Sequence, residues 1–356
     1  MLKRNDAYIL HRRLFNQHIT ATPFTKPAEI VRHLGAMQSQ DYGMAKWAIG
    51  LRLPHLREAD VDEAFNKGHI LRTHILRPTW HFVSPEDIRW MMELTAPRVN
   101  AFNAYYYRLM ELDKKVFKKC HAILKKALGG NNHLTRTALK AILEKSKIKA
   151  EGQRLGAIMM EAELACVVCS GPKQGKQFTY ALVDERAPNA ISMKRDEALA
   201  RLTGIYFSTR GPATVHDYSW WSGLTVREAS EGIAMLGKEF MREEMNGATY
   251  IFKDGDYKKP TPAAATFLMP DYDEYGISYK DRKELFADQP PKNSRLLKDW
   301  VFFHTIIQDG KSVGTWKKVQ SGQKTMVETS LYNPVSQAKQ QLIDKAVKRY
   351  TDFFNS

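Results

Sequence analysis

The chain has 356 residues, of which 43% are hydrophobic and 26% charged, a composition that excludes intrinsic disorder and fibrous repeats and allows two or three domains. Lys and Arg outnumber Asp and Glu by 54 to 39, and the formal charge of +15 favours a polyanionic partner such as nucleic acid. With three cysteines and no apolar run long enough to span a membrane, the sequence predicts a cytoplasmic, nucleoid-associated protein without structural disulfides.

Residues 1–95 are predicted to form a first winged helix. Apolar residues recur at helical spacing over 5–16 and 28–37, and a further short helix is expected over 60–66. The segment ILRTHILRPTWHFV at 70–83 alternates around a proline and is typical of two extended strands. Helices followed by a hairpin give the element order of a winged helix, a helix-turn-helix with a β-hairpin wing.

The same order of elements recurs over 96–190. A helix is predicted from Thr135 and a second over 153–168, and two strands follow on either side of a Gly/Pro/Lys turn. This segment is therefore predicted to be a second winged helix.

A third unit is predicted over 191–258. The run that begins at Gly211 favours a short helix and then a helix that opens with a capping box, Thr225 and Glu228. Residues 248–253 are expected to belong to its wing. The repeat is one of architecture, because the residue identities do not recur.

The last segment, 259–356, has a different pattern. A Pro/Ala-rich linker at 260–265 precedes alternating segments over 267–279, 299–319 and 324–332, which predict a small antiparallel sheet or barrel, and a closing helix spans 336–354. The predicted fold class is α+β, with three tandem winged-helix domains followed by a small C-terminal β-barrel. Three such units in one chain lessen the need for a dimer, so we expect a monomer.

Positive charge is concentrated in one stretch. Residues 114–149 hold eleven Lys or Arg against the single acid Glu144, a net +10 of the total +15. On the predicted helix over 114–128, an apolar stripe leaves the lysines on the solvent side. These are Lys114, Lys115, Lys118, Lys119, Lys125 and Lys126. A solvated helix face is one interpretation; phosphate contacts beside winged helices, weakened steeply by salt, are the other.

Five segments together resemble the AlkZ-type winged-helix DNA glycosylases over nearly the whole chain: HLGAMQSQDYGMAKWAIGLR, LRPTWHFV, GPATVHDYSWWSGLT, FLMPDYDEYGISYKDR and DGKSVGTWK. The resemblance implies three winged helices, a C-terminal β-barrel, and metal-independent excision of alkylated bases, including interstrand crosslinks, from double-stranded DNA. The family's catalytic motif, Gln-aliphatic-Gln in one branch and Gln-aliphatic-Asp in another, matches Gln38, Ser39 and Gln40. Ser39 departs from it, because an aliphatic residue is expected there.

Two neutral amides suit this chemistry if they converge. Residues i and i+2 point about 200° apart on a helix but share a face on extended chain, so the helix must end near Met37. An alkylated N3 or N7 purine is cationic and leaves readily, so a placed water and support for an oxocarbenium-like sugar are what remain to be supplied. Asp41 is either the water's general base or, as we favour, the N-cap of a helix that begins near Tyr42.

Further DNA contacts are predicted around this motif. His81 either holds a phosphate or flipped sugar, or is satisfied within its hairpin, and Arg77 is either a phosphate ligand or an ordinary surface charge. Lys173 and Lys176 lie in the turn GPKQGK, which lacks the strand context and GK[ST] ending of a nucleotide-binding loop but offers two cations to phosphate.

Two features have a plain and a functional interpretation. The hairpin at 308–311, with Lys311, is either a probe of the minor groove or a solvent hairpin. Trp220 and Trp221 are either a stacking platform or, as we favour, core residues.

Two function hypotheses follow. The first is a monofunctional glycosylase with Gln38 and Gln40 as catalytic residues and no cofactor. The second is a non-enzymatic winged-helix DNA-binding protein, a regulator or resistance factor. We expect no metal site, because Cys166 and Cys169 lie in an apolar run that is more typical of a core than of a zinc ligand set.

Overall fold

The computed structural model describes residues 6–255, 257–286, 304–322 and 324–355. Within these ranges the chain is a mixed α/β protein with four separate antiparallel sheets. The strands of each sheet come from one continuous segment of the chain. None of the described helices has the length and apolar character needed to cross a bilayer.

The first segment contains four helices and a three-stranded sheet of order β1-β3-β2. Its elements are α1 (Asp6–Asn16), α2 (Pro27–Leu34), β1 (Ala36–Gln38), α3 (Tyr42–Arg52), α4 (Glu58–Asn66), β2 (Leu71–His74) and β3 (Trp80–Val83). The helix predicted to run over 28–37 ends three residues earlier. Gly35 adopts φ +74°, a left-handed conformation that glycine tolerates, and the chain leaves it as the short strand β1.

The second segment has a three-stranded sheet of order β4-β6-β5. Its elements are α5 (Ile88–Leu109), α6 (Lys114–Leu128), β4 (Leu134–Thr135), α7 (Arg136–Lys145), α8 (Gly152–Leu164), β5 (Val168–Ser170), β6 (Thr179–Leu182) and α9 (Val183–Arg186). The helix predicted over 153–168 ends at Leu164, because Cys166 turns the chain with φ +56° into β5. The 22-residue helix α5 was not predicted, and it has Pro97 in its interior.

The third segment ends in a two-stranded hairpin. Its elements are α10 (Arg195–Arg210), α11 (Val215–Ser222), α12 (Val226–Ala234), β7 (Phe240–Met245) and β8 (Ala248–Lys253). Its predicted capping box is confirmed: the Thr225 hydroxyl accepts from the Glu228 N–H at 3.2 Å, and the Glu228 carboxylate accepts from the Thr225 N–H at 2.9 Å. Helix α10 was not predicted.

One order of elements occurs three times along the chain. A helix, a strand, two helices and a hairpin follow one another as α2-β1-α3-α4-β2-β3 and again as α6-β4-α7-α8-β5-β6. The third copy, α10-α11-α12-β7-β8, has an isolated bridge between Ala213 and Ile251 where the other two have their first strand. The opening helices of the three copies begin at Pro27, Lys114 and Arg195.

The C-terminal segment forms a four-stranded antiparallel sheet of order β12-β11-β10-β9, curled into a half-barrel. Its elements are β9 (Thr266–Met269), α13 (Glu274–Ile277), a 3₁₀ turn (Lys283–Leu285), β10 (Thr305–Gln308), β11 (Lys311–Ser321), β12 (Lys324–Leu331) and α14 (Gln337–Phe354). Among the described residues β9 and β12 are edge strands that do not pair with each other, so the sheet is an open half-barrel. The start of the alternating segment predicted over 299–319 lies outside the described residues.

The half-barrel packs directly on the first segment. One hydrophobic cluster contains Met37 and Trp47 from the first segment together with Leu268 and Ile306 from the sheet. The Trp47 indole donates to the Leu268 carbonyl at 2.8 Å, and burial of such side chains typically contributes about 1.5–3 kcal/mol each. The first segment, which carries the Gln-Ser-Gln motif, and the half-barrel therefore share one hydrophobic core.

A buried ion pair reinforces this junction. Arg52 Nη1 lies 2.8 Å from Asp273 Oδ2, and both side chains have no solvent exposure. Asp273 also caps α13 by accepting from the Tyr275 N–H at 2.8 Å. The pair joins the end of α3 to the start of α13, the helix that begins with Glu274.

We expect Arg52→Ala to destabilise the protein by about 3–5 kcal/mol, because Asp273 would be left as an uncompensated buried charge. The measurement is urea unfolding followed by circular dichroism. Lys348→Ala is the matched control, since it breaks an exposed 2.6 Å ion pair with Asp352 and should cost about 0–1 kcal/mol. Equal shifts in the two variants would contradict the importance of the buried pair.

Candidate active site

The Gln-Ser-Gln segment begins at the end of a strand, and its Gln40 lies at a bend before α3. Gln38 is the last residue of β1 and stands opposite His81 in the register of β3. The Ser39 N–H continues the ladder by donating to the Trp80 carbonyl at 2.7 Å. The prediction that the preceding helix ends before the motif is confirmed, with its end at Leu34.

Arg77 orients the carboxamide of Gln38. Its Nη2 donates to Gln38 Oε1 at 2.9 Å, and because a guanidinium has only donors, the amide oxygen must face Arg77. The amide NH₂ group consequently points the other way, and it has no hydrogen-bond partner within the described part of the chain. Gln38 as a whole is 7% exposed, so only an edge of it reaches solvent.

Gln40 is exposed and is oriented by the same connection between β2 and β3. Its Oε1 lies 3.4 Å from the Trp80 N–H, a long contact but one that again requires the oxygen on that side. Both carbonyl oxygens therefore face the β2–β3 connection. Neither NH₂ group has a hydrogen-bond partner among the described residues.

A buried carboxylate lies under Gln38. Glu274 Oε1 accepts from the Gln38 backbone N–H at 2.8 Å, and Oε2 accepts from Arg210 Nη2 at 2.6 Å and from Trp221 Nε1 at 3.0 Å. Burial raises the pKa of Glu274, but the Arg210 charge and the hydrogen bonds to the carboxylate outweigh it and lower the pKa to about 2. Glu274 is therefore ionised and holds the strand that carries the motif.

Arg210 stabilises the turn between α2 and β1. Its Nη1 donates to the Leu34 carbonyl and its Nη2 to the Ala36 carbonyl, both at 2.8 Å. The carbonyls at the end of α2 are thus satisfied by a side chain from α10. Glu274 and Arg210 were not identified from the sequence, because Glu274 is one of three acids in FLMPDYDEYG and no local pattern sets Arg210 apart.

Arg72 holds the backbone of the motif from the other side. Its Nε and Nη2 donate to the Ser39 carbonyl at 3.2 and 2.9 Å, and its guanidinium lies 4.4 Å from the Trp80 ring centroid. Burial lowers the pKa of Arg72 to about 10, so it remains a cation at neutral pH. From the sequence no role was predicted for Arg72, which reads as an ordinary strand residue in LRTH.

Asp41 caps α3, as favoured from the sequence: its carboxylate accepts from the Met44 N–H at 2.9 Å. A second acid, Asp271, lies near it. Burial, together with the charge of Asp41, raises the pKa of Asp271 to about 7, and His304 Nε2 lies 3.4 Å from its Oδ2. A carboxyl group that exchanges protons near neutral pH therefore stands beside the segment that follows Gln40, and the sequence did not reveal it.

His81 and Arg77 both hydrogen-bond to groups within the protein. His81 is fully buried, and burial, together with the Arg77 charge, lowers its pKa to about 3, so the ring is neutral and hydrogen-bonds the Thr79 carbonyl at 2.9 Å. Arg77 is committed to Gln38 and to the Trp220 carbonyl. In this structure His81 has no exposed surface and Arg77 holds the Gln38 amide, and the DNA contacts predicted for both residues stay predictions.

The predicted lysines divide into two groups. Lys118, Lys119, Lys125 and Lys126 on α6 are exposed, as is Lys176. Lys173 instead lies 3.3 Å from Asp62 and is neutralised within the protein. The α6 stripe of Phe117, Cys120, Leu124 and Leu128 is buried, so the predicted orientation of this helix is confirmed.

The hairpin at 308–311, which carries Lys311, packs against α1, and its contact with the minor groove stays a prediction. Asp309 hydrogen-bonds His11 at 2.8 Å, and the Gly310 carbonyl accepts from the Tyr275 hydroxyl at 2.8 Å. Gly310, with φ +83°, lies against Leu10 of α1. The hairpin is thus anchored on α1, while the Asp309 side chain stays 65% exposed.

The two tryptophans differ from each other. Trp221 is fully buried in the core, as favoured, whereas Trp220 is 42% exposed and donates to the Ile277 carbonyl.

Repeated helix and hairpin units, a lysine-rich helix and a Gln-Ser-Gln segment at the end of β1 form the pattern expected of a DNA glycosylase. The family model "DNA glycosylase AlkZ-like" matches residues 31–353, and the chain belongs to this family. The solved structure of Streptomyces sahachiroi DNA glycosylase AlkZ is similar to it, with a TM-score of 0.80 over 99% of this chain and 98% of that one. At 17% identity that likeness shows the fold. No curated protein matches the sequence.

We expect the His81 ring to stay neutral between pH 8 and pH 5, because the buried site disfavours the imidazolium, whereas an ordinary histidine titrates near 6.5. The measurement is ¹⁵N NMR of the imidazole nitrogens, with the signal assigned by its loss in His81→Gln. A shift to the charged form between pH 7 and pH 6 would make His81 a candidate phosphate ligand again.

Proposed function

We propose that the protein is a monofunctional DNA N-glycosylase that hydrolyses the N-glycosidic bond of alkylated purines, N3 or N7 adducts and crosslinked bases included. Membership of the AlkZ-like family supports a DNA repair glycosylase. The observation that carries the residue assignment is the shared orientation of Gln38 and Gln40, whose carbonyls are held by Arg77 and by the Trp80 N–H.

This reaction requires no strong general acid, because the alkylated purine that leaves is already cationic. Water attacks C1′ of the damaged nucleotide, the C1′–N bond breaks, and its electron pair returns to the purine and cancels the positive charge that alkylation placed there. The proton released from water passes to solvent. Each amide carbonyl keeps one lone pair for a proton of the attacking water, and each NH₂ group donates to a phosphate or a base edge.

Preorganisation is what the surrounding residues supply. Arg77, Arg72 and Glu274 fix the side chain, the backbone carbonyl and the backbone N–H of the motif before DNA arrives. Groups positioned in this way typically contribute about 10² to 10⁴-fold to a rate. The proposed reaction uses no metal or organic cofactor.

The repeated units supply the DNA surface in this proposal. We infer that the three copies are winged helices, with the motif in 1–95, the basic surface in 96–190 and the third unit in 191–258, and that the half-barrel and closing helix of 259–356 complete a monomer. The exposed lysines of α6 would neutralise phosphates of double-stranded DNA.

Two observations favour the alternative of a non-enzymatic DNA-binding protein, a regulator or resistance factor. Gln38 is only 7% exposed, which limits its access to a sugar, and Ser39 replaces the aliphatic residue of the family motif. The two proposals share the DNA surface and differ only in whether base is released.

We expect Gln38→Ala and Gln40→Ala each to reduce base release by about 10² to 10⁴-fold while DNA affinity stays within a few-fold, since the amides act on the reacting centre. The assay scores alkali-labile abasic sites in duplex that contains 7-methylguanine or a nitrogen-mustard crosslink. Gln341→Ala, an exposed glutamine on α14, is the matched control and should be fully active. Binding without release on every lesion tried would establish the alternative.

We expect Lys118→Ala/Lys119→Ala and Lys125→Ala/Lys126→Ala to weaken binding to any duplex and to lower the salt slope, by about 0.9 in log Kd per log salt for each phosphate that is no longer neutralised. Fluorescence anisotropy over a range of NaCl concentrations measures this. The control pair is Lys345→Ala/Lys348→Ala on α14, which removes the same charge from another surface. An unchanged salt slope in the α6 variants would show that these lysines form a solvated helix face that does not contact phosphates.

A further inference from the structure

A cleft of about 350 Å³ separates the first sheet from the second beside the motif. Its lining includes Arg72, Trp80, Arg136, Lys176, Phe178 and Tyr180. Trp80 and Arg72 both contact Gln40: the Trp80 N–H faces its side-chain oxygen, and Arg72 Nη2 lies 3.5 Å from its backbone carbonyl. The cleft therefore opens next to the proposed catalytic pair.

The aromatic rings of the cleft are already in contact with neighbours. The His74 ring centroid lies 4.0 Å from that of Trp80, and the Arg72 guanidinium lies 4.4 Å from Trp80 and 4.9 Å from Phe178. The rings enclose a cation and so do not offer the open stacking surface that an extruded base requires. What they do is fix the plane of the guanidinium.

Arg72 has one donor group left. The residue is only 8% exposed, its Nε and Nη2 hold the Ser39 carbonyl, and its Nη1 has no hydrogen-bond partner within the described ranges. Because Arg72 lines the cleft, Nη1 is the group that it can present to a ligand there. A nearly buried cation with an unused donor points to an anion.

The N-terminus of α7 meets the same cleft. Thr135 caps the helix by accepting from the Ala138 N–H at 3.2 Å, which leaves the N–H groups of Arg136 and Thr137 without partners inside the helix. Both residues line the cleft, where the positive end of the helix dipole adds to the charges of Arg136 and Lys176. Among the described lining residues none is acidic.

We propose that this cleft binds a backbone phosphodiester of the damaged DNA strand, at a position close to the lesion. The proposal rests on the proposed function for the identity of the DNA and deepens it by one subsite. Arg72 also holds the carbonyl of Ser39, the residue that precedes Gln40. A phosphate bound to Arg72 Nη1 would therefore lie close to Gln40. Phosphate binding would then set the distance of the sugar from the amides.

The test uses duplexes with a tetrahydrofuran abasic-site analogue and one uncharged methylphosphonate, moved along the strand one phosphate at a time. Fluorescence anisotropy measures the affinity. For the wild-type protein we expect one position near the analogue at which the neutral linkage weakens binding about ten-fold, because a charge-assisted hydrogen bond is removed there. In the Arg136→Ala/Lys176→Ala variant, the methylphosphonate at that position should weaken binding only about three-fold or less. The reason is that two of the cations that would contact this phosphate have been removed.

Arg227→Ala is the control, since it removes a cation that is 88% exposed in the third segment and should leave the ten-fold effect unchanged. Arg72→Lys should also reduce the ten-fold effect of the methylphosphonate. Arg136 and Lys176 are exposed, so their double variant tests the proposal even if Arg72→Lys does not fold. Equal effects at all positions, or no coupling with the double variant, would overturn it.

A 2-aminopurine placed opposite to or beside the analogue tests the rival occupant. Fluorescence quenching that depends on Arg136 and Lys176, without phosphate coupling, would show a base in the cleft and overturn the phosphate proposal. The binding assay needs no base release. Phosphate coupling in a protein that excises nothing would therefore support the cleft and reject the glycosylase proposal separately.

Discussion

The buried ion pair between Arg210 and Glu274 is the constraint that the candidate site requires. Arg210 donates hydrogen bonds to the carbonyls of Leu34 and Ala36 and so stabilises the end of α2 at this position. Glu274 accepts a hydrogen bond from the backbone N–H of Gln38. Removing two charges from water costs several kcal/mol, and this cost is offset only where every donor and acceptor is used. The pair therefore enforces one backbone path through the motif, since any other path would leave a charge unsatisfied.

Around this pair, arginines orient groups that are themselves uncharged. Arg77 holds a side-chain oxygen of the motif, and Arg72 holds its backbone carbonyl. Because guanidinium groups only donate, each of these contacts also fixes which end of the bound group faces away. The result is a motif of two neutral amides whose side chain and backbone oxygens are held by guanidinium groups.

Sequence reasoning succeeded where the cause was local. The stripe of α6 and the capping box of α12 depend on residues three or four apart, and both were predicted correctly. It failed where the partner was distant: α2 ends early because of Arg210, and the hairpin at 308–311 is covered by α1, whose His11 is 298 positions from Asp309. Helix α5 was missed because its interior proline and aromatic-rich sequence depart from a simple amphipathic pattern.

The family, the Gln-Ser-Gln motif and the lysine-rich helix can all be recognised in the printed residues, because residue type and short spacing carry them. The direction in which the two amides face, the neutral core position of His81, and the placement of Arg72, Arg77 and Glu274 around the motif emerge only once the chain is folded. These properties depend on burial and on contacts between residues tens to hundreds of positions apart. No local pattern encodes them, since the same side chain has a different pKa and a different partner at the surface and in the core.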